Sequence, residues 1–232
     1  MASGPKRSKR SGGTARKAAP VDGDPRERVV DAFMALLAER RLGEVGLADI
    51  AERAGVSLAD LRGLHDGKLS IFADFARRID RKVLEAGVVE ASAEESPRDR
   101  LFDVIMRRFD ALAPYKDAVR RVAAAARCDP GLACALHAVA LGSQKWTLAA
   151  AGIHKRGALR LIATEGTVLV YAEAMRTWLD DDSADLGPTM ATLDRSLRRG
   201  ESVMRFAGKV CCALPRMAGR FRRPHGAGEA AA

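Results

Sequence analysis

The chain has 232 residues, 47% of them apolar, enough for a sizeable core in one or two compact domains, and a formal net charge of +9. It holds no run of about 18 apolar residues to span a bilayer and no apolar N-terminal signal, so a cytoplasmic protein, at most peripheral to the inner face of a membrane, is expected. Its cysteines, Cys128, Cys134, Cys211 and Cys212, show no C-x-x-C spacing, which argues against a zinc site or a disulfide framework.

Residues 1–24 carry six basic side chains, Lys6, Arg7, Lys9, Arg10, Arg16 and Lys17, against Asp22 and Asp24, with hardly any large apolar residue. Such a segment cannot bury a core, and a disordered basic arm is expected. From Pro25, the apolar residues Val29, Val30, Phe33, Leu36 and Leu37 recur at helical spacing, with Gly43 where the helix would end. The stretch Leu47 to Leu64 then reads as two short helices around the turn Ala54-Gly55-Val56-Ser57. Gly55 suits a left-handed helix end, Val56 can tuck between the helices, and the Ser57 hydroxyl can cap the second helix. Together they form a helix-turn-helix, whose second helix can enter a DNA major groove. A longer helix follows from Lys68, with Phe72, Phe75, Ala76, Ile79, Val83 and Leu84 on one face.

The prolines in Ser96-Pro97, Ala113-Pro114 and Asp129-Pro130 each mark the first turn of a further helix. Leu101, Val104, Ile105, Phe109 and Leu112 form one apolar stripe, and Leu132, Leu136, Val139, Ala140 and Trp146 lie along a second helix. A third, from Leu159 through Tyr171 and Met175 to Trp178, ends at Asp180-Asp181-Asp182-Ser183, where adjacent carboxylates read as a cap and a solvated turn. No strand-like alternation competes with these periods, so the fold class is all-α. Near the C-terminus, Val203, Phe206, Val210, Leu214, Met217 and Phe221 fall on one helical arc, opposite Arg205, Lys209, Arg216, Arg220 and Arg223. A basic amphipathic helix over 201–223 follows, able to lie in an anionic membrane interface or to pack on protein, with a tail over 224–232.

Charge is unevenly placed. The two ends, 1–24 and 201–232, each hold a surplus of four positive charges, whereas the headpiece over 25–80 has nine basic residues against ten carboxylates. Among the latter, Asp60 brings a carboxylate into the second helix of the motif, which Gly63 also weakens by about 1 kcal/mol relative to Ala.

The segment from Arg26 to about Phe75 resembles the N-terminal domain of TetR-family transcriptional regulators: the helix Val29 to Leu37, Ile50-Ala51, Ala54-Gly55-Val56-Ser57, Leu61, Lys68 and the apolar helix after it all match. The resemblance implies a TetR-like homodimer, with a helix-turn-helix domain over 25–75 and a helical ligand-binding and dimerisation domain over 76–200. It assigns DNA contact to Ser57, Leu58, Ala59, Arg62 and Lys68, and control to a small apolar ligand. A second likeness lies further on. Trp178-Leu179-Asp180-Asp181-Asp182-Ser183-Ala184-Asp185-Leu186, with Thr189, Leu193, Asp194 and Arg195, is similar to a signature of the lipid-binding accessory family of coenzyme Q (ubiquinone) biosynthesis. That family shares the fold without binding DNA. It implies an isoprenoid lipid among Trp146, Tyr171, Met175 and Trp178, and a membrane surface met by Phe206, Lys209, Val210, Leu214, Met217, Arg220 and Phe221. The regulator is the first expectation and the lipid-binding accessory protein the alternative.

Neither requires catalysis. His65, His137, His154 and His225 have no metal-ligand spacing, and no nucleophile elbow or phosphate loop is present, so no enzyme, metal or cofactor is expected.

Overall fold

The computed structural model of the protein describes residues 23–87 and 95–220, with side chains up to residue 209. Among these residues lie nine α-helices and no strand: α1 (Pro25–Glu39), α2 (Leu47–Ala54), α3 (Leu58–Leu64), α4 (Lys68–Glu85), α5 (Pro97–Leu112), α6 (Lys116–Cys128), α7 (Pro130–Ala150), α8 (Gly157–Asp180) and α9 (Gly187–Arg220). The all-α class expected from the periodicity is observed. The N-terminal arm through residue 22 and the tail over 224–232 lie outside the described residues.

Local chemistry accounts for the helix starts. Asp24, Ser96 and Asp129 each accept a backbone N–H of the first turn, and Pro25, Pro97 and Pro130 take the first helical position, where no N–H is needed. Pro114 departs from expectation. It sits in a 3-10 turn, Ala113–Tyr115, that continues the end of α5, and α6 opens only at Lys116. The first helix also stops before Gly43: Arg40 is extended (φ −131°, ψ 162°), and a 3-10 turn, Leu42–Glu44, carries the chain to the buried Val45.

One core runs through headpiece and body. Val29, Phe33 and Leu37 of α1, Ile50 of α2, Leu61 of α3, Ile71 and Phe75 of α4, and Ile105 and Phe109 of α5 belong to a single buried cluster, with α1 seated on α6 and α4 on α5 and α7. The domain boundary expected at residue 75 therefore falls inside the unbroken α4, and the one expected at 200 inside α9. Residues 201–220 prolong α9 instead of starting a separate helix, because Gly200 stays helical and faces Val170 of α8.

The stripe of α5 is buried as expected, but that of α7 is not. Leu132, Leu136, Val139 and Ala140 are half-buried, and Trp146 is 58% exposed. The buried face of α7 is instead Ser143, Gln144, Thr147 and Leu148. Ser143 turns inward to reach a carboxylate of α4, and Trp146, on the other side of Ser143 from Gln144 and Leu148, lies outside the buried arc and is exposed. Helix α8 carries apolar side chains both inward and outward: Ala163, Val168, Val170, Ala174 and Trp178 are buried, while Leu161 and Leu169 face outward.

Helices α8 and α9 run antiparallel, Glu173 accepting from Ser196 at 2.7 Å and from Arg199 at 3.3 Å. Their junction corrects the expectation of a solvated acidic turn. Asp180 and Asp182 are exposed, but Asp181 is buried and accepts four hydrogen bonds, from the N–H and hydroxyl of Ser183 (3.1 and 2.5 Å) and of Thr189 (3.0 and 2.5 Å). The Ser183 and Thr189 hydroxyls hold its carboxyl pKa down at about 2.

Candidate nucleic-acid interface and its coupling to the helical body

The turn between α2 and α3 has the geometry its residues require. Gly55 is left-handed (φ 64°, ψ 37°), its N–H donates to Glu52 O at 3.1 Å, and the Val56 N–H donates to Ala51 O at 3.0 Å. Val56 packs, half-buried, on the core, and the extended Ser57 opens α3. Its hydroxyl accepts the Asp60 N–H at 3.0 Å and donates to Asp60 Oδ2 at 2.7 Å, while that oxygen also accepts the Ser57 N–H at 3.3 Å. The Asp60 carboxylate thus closes a capping box, and the hydrogen bond from Ser57 lowers its pKa. Its presence in α3 is explained by helix initiation. Gly63 is exposed with open space where a Cβ would stand, and nothing in the structure explains it.

The residues expected to meet DNA separate into two groups. Leu58, Ala59 and Arg62 share the exposed face of α3, with Leu58 55% exposed and Arg62 paired to Asp66 at 2.6 Å. Ser57 and Lys68 are committed to the scaffold. The Lys68 ammonium donates to Leu42 O at 2.9 Å and Val45 O at 3.1 Å, fastening the start of α4 to the loop before α2.

Behind this face, a buried carboxylate of α4 gathers the headpiece. Asp74 accepts from Arg26 of α1 at 2.7 Å, pairs with Arg77, and lies 3.6 Å from His65 Nδ1 at the end of α3. Arg26 also donates to Leu64 O at 2.9 Å. Burial, and then the charges of Arg26 and Arg77, push the His65 pKa below its ordinary value, so the ring is neutral at pH 7. Arg28 bridges the chain before α1 to the motif, donating to Gly23 O at 2.8 Å and Ala54 O at 3.1 Å.

A second carboxylate of α4, Asp80, faces the body. Arg108 of α5 and Ser143 of α7 both donate to its Oδ1, and Arg108 Nε donates to the Tyr171 hydroxyl of α8 at 3.2 Å. Desolvation raises the Tyr171 pKa. Beside Ser143, Gln144 is fully buried, with neither amide atom partnered. Sequence reasoning missed Asp74 and Asp80; the available signal was a carboxylate recurring within the apolar period of α4, where a solvated residue does not belong.

None of the four residues expected to hold a ligand lines either of the two described clefts. Trp146 is exposed on α7. Tyr171 and Trp178 each stack on the ring of Phe109, with centroids at 5.6 and 5.4 Å, Lys116 Nζ stands 5.5 Å over Trp178, and Met175 packs at the edge of the core. Two described clefts lie elsewhere: one of about 330 Å³ between α5 and α9 is lined by Phe102, Asp103, Met190 and Asp194, and one of about 360 Å³ between α1 and α4 by Arg26, Glu27, Asp74 and Arg77. Of the residues expected to meet a membrane, Phe206 and Lys209 are exposed on α9. The side chains of Val210, Leu214, Met217 and Arg220, and all of Phe221, lie outside the described residues. No described helix is long and apolar enough to cross a bilayer.

This architecture is similar to that of three solved TetR-family transcriptional regulators. One from Nitrosomonas europaea superposes with a TM-score of 0.60 at 21% identity, covering 77% of this chain and 99% of that one. One from a Rhodococcus species gives 0.54 at 21% identity, over 76% and 95%, and one from Streptomyces coelicolor 0.51 at 18%, over 83% and 89%. No family model and no curated protein matches the sequence. The protein has the TetR fold, over most of its own length and nearly all of the first two relatives.

Proposed function

We propose that the protein is a TetR-type transcriptional regulator: a homodimer that places α3 of each copy in a DNA major groove and is controlled by a small molecule bound in its helical body. The observation that carries the reading is the intact helix-turn-helix, with left-handed Gly55, the Ser57–Asp60 capping box and an exposed face of Leu58, Ala59 and Arg62. Small and apolar residues at the start of a recognition helix let its backbone approach base edges and thymine methyls, and Arg62 is the side chain suited to a guanine edge.

Dimerisation is supported by α8 and α9. Leu161 and Leu169 (66% and 62% exposed) and Val203 and Phe206 (58% and 69%) leave apolar side chains outward on two adjacent helices. Outward apolar side chains on two adjacent helices need cover, and a second copy of the same helix pair supplies it. Because the exposed residues span both helices, a protein partner accounts for them better than a lipid surface, which would need α9 alone. Ligand control is supported by Asp80 and the orphaned Gln144 amide, a polar cluster buried beside the helix that leads from the motif.

The test is selection of bound DNA from a randomised duplex pool. A recovered sequence with two-fold symmetry and half-sites about one helical turn apart is expected, lost in Arg62→Ala and in the monomeric Leu169→Asp/Phe206→Asp variant. A pool that emerges unenriched overturns the reading. Flotation of the protein with anionic vesicles would instead favour the membrane-peripheral alternative.

A further inference from the structure

We infer that Asp66 is a positioning residue for DNA recognition: its carboxylate aims the Arg62 guanidinium at a guanine edge and keeps it off the phosphates, so that the cation of α3 serves sequence reading; this rests on the regulator reading above. Arg62 is the only basic residue in α3 and lies one turn beyond Leu58 on the exposed face. Its Nη1 donates to Asp66 Oδ1 at 2.6 Å. Both side chains stand largely in solvent, 72% and 88% exposed. An ion pair so placed adds little to stability, and its consequence lies in what the guanidinium is left able to bind.

The carboxylate stands on a fixed base. Asp66 lies beyond the end of α3, between two anchored residues: His65 before it is buried, with its N–H on Leu61 O at 2.9 Å, and Gly67 after it exchanges hydrogen bonds with the Ser70 hydroxyl, at 3.1 and 2.8 Å. Next in sequence, Lys68 is fastened to Leu42 O and Val45 O. Arg62 is long and exposed, and Asp66 is the group that orients it. Asp60, the other carboxylate of α3, is closed on Ser57.

The pairing treats the two kinds of DNA acceptor differently. A guanidinium carries more N–H donors than Asp66 takes, and those left on Nε, Nη1 and Nη2 still include a parallel pair for guanine N7 and O6. Because the side chain is already ordered, it loses less freedom in that contact. A phosphate carries negative charge, and a carboxylate within hydrogen-bond distance of the same guanidinium repels it and offsets its attraction to the cation. The guanine edge is uncharged and meets no such penalty. Phosphate contacts carry no sequence information, so a device that disfavours them at Arg62 raises the ratio of specific to non-specific binding. Basic side chains nearby do not take over the phosphate role, since Arg26 is held by Asp74 at 2.7 Å and Arg53 by Glu39 at 2.8 Å.

The test compares the full-length wild type with Asp66→Asn, Arg62→Ala and the double variant. Binding is followed by fluorescence anisotropy over a range of salt concentrations, on the operator recovered by selection and on a mixed-sequence duplex of the same length. Deazaguanine, which lacks the N7 acceptor, is placed at each guanine of a half-site in turn; the guanine read by Arg62 is the one where the replacement weakens the wild type but not Arg62→Ala. There the wild type should lose about tenfold in affinity and Asp66→Asn about threefold or less. On the mixed duplex, Asp66→Asn should bind about threefold or more tighter, and its plot of log affinity against log salt should steepen by about 0.9 as Arg62 turns to a phosphate. No steepening is expected when the same change is made in Arg62→Ala, which separates the aiming of Arg62 from the mere removal of a negative charge. An unchanged deazaguanine penalty and salt slope in Asp66→Asn, equal steepening with and without Arg62, or an operator in which no guanine depends on Arg62 would each overturn the inference. The two readings fail apart: an unenriched selection pool strikes the regulator and this inference with it, while a recovered operator with unchanged penalty and slope strikes only Asp66.

Discussion

Arg108 of α5 and Asp80 of α4 form an ion pair inside the protein, with side chains only 6% and 9% exposed. Each charge has been withdrawn from water and answered by the other, by Ser143 and by Tyr171. Removing one partner leaves the second uncompensated, so Arg108→Leu or Asp80→Leu alone should cost about 3–5 kcal/mol, whereas the double substitution should recover most of the loss. Urea denaturation of the two single variants and the double variant checks this; additive losses would show that the pair does not act as a unit.

Gln144 carries the opposite expectation. Its amide is buried without a partner, so Gln144→Met, close in volume, should raise unfolding stability by about 1 kcal/mol or more. The urea midpoint should move upward. A fall would mean that the amide is hydrogen-bonded in solution.

Asp181 sets an acid limit on the α8–α9 junction. Its folded pKa, about 2, lies below the ordinary carboxyl value, so the stabilisation is complete above about pH 4 and is lost as pH falls through about 2. The difference in urea midpoint between wild type and Asp181→Asn should therefore be constant from pH 7 to about pH 4 and shrink below it. A gap that persists at about pH 2 would contradict the assignment.

Two glycines of the helix-turn-helix should respond with opposite signs. Gly55 has φ 64°, and Gly55→Ala should cost about 1–2 kcal/mol. Gly63 is helical, with open space at its missing Cβ, so Gly63→Ala should add up to about 1 kcal/mol. Thermal unfolding of the two variants separates the cases, and a shared sign would refute the conformational argument.

The headpiece was legible because its determinants are local. Gly55, Ser57 and the apolar period of α1 act within a turn or two of themselves, and the structure places all three as expected. The body was legible in its helix count and in the buried face of α5, but not in that of α7. In α7, Ser143 is bonded to the carboxylate of Asp80, 63 residues away, and Trp146 is exposed; no window along α7 contains that information. Asp60 was misleading for a related reason. As a lone charge it reads as repulsive to DNA, yet the hydroxyl three residues before it gives it a structural role. Aromatic spacing likewise marks Tyr171 and Trp178 as neighbours without showing that both stack on Phe109.

Helix α4 carries both of its buried carboxylates within six residues. Asp74 is gripped by α1 and the end of α3, Asp80 by α5 and α7, about 9 Å apart along the axis. A helix is stiff over so short a span, so the two grips cannot be adjusted independently: a twist or slide that relaxes one strains the other. The spacing of two aspartates ties α1 and the end of α3 on one side, and α5 and α7 on the other, to one short stretch of α4.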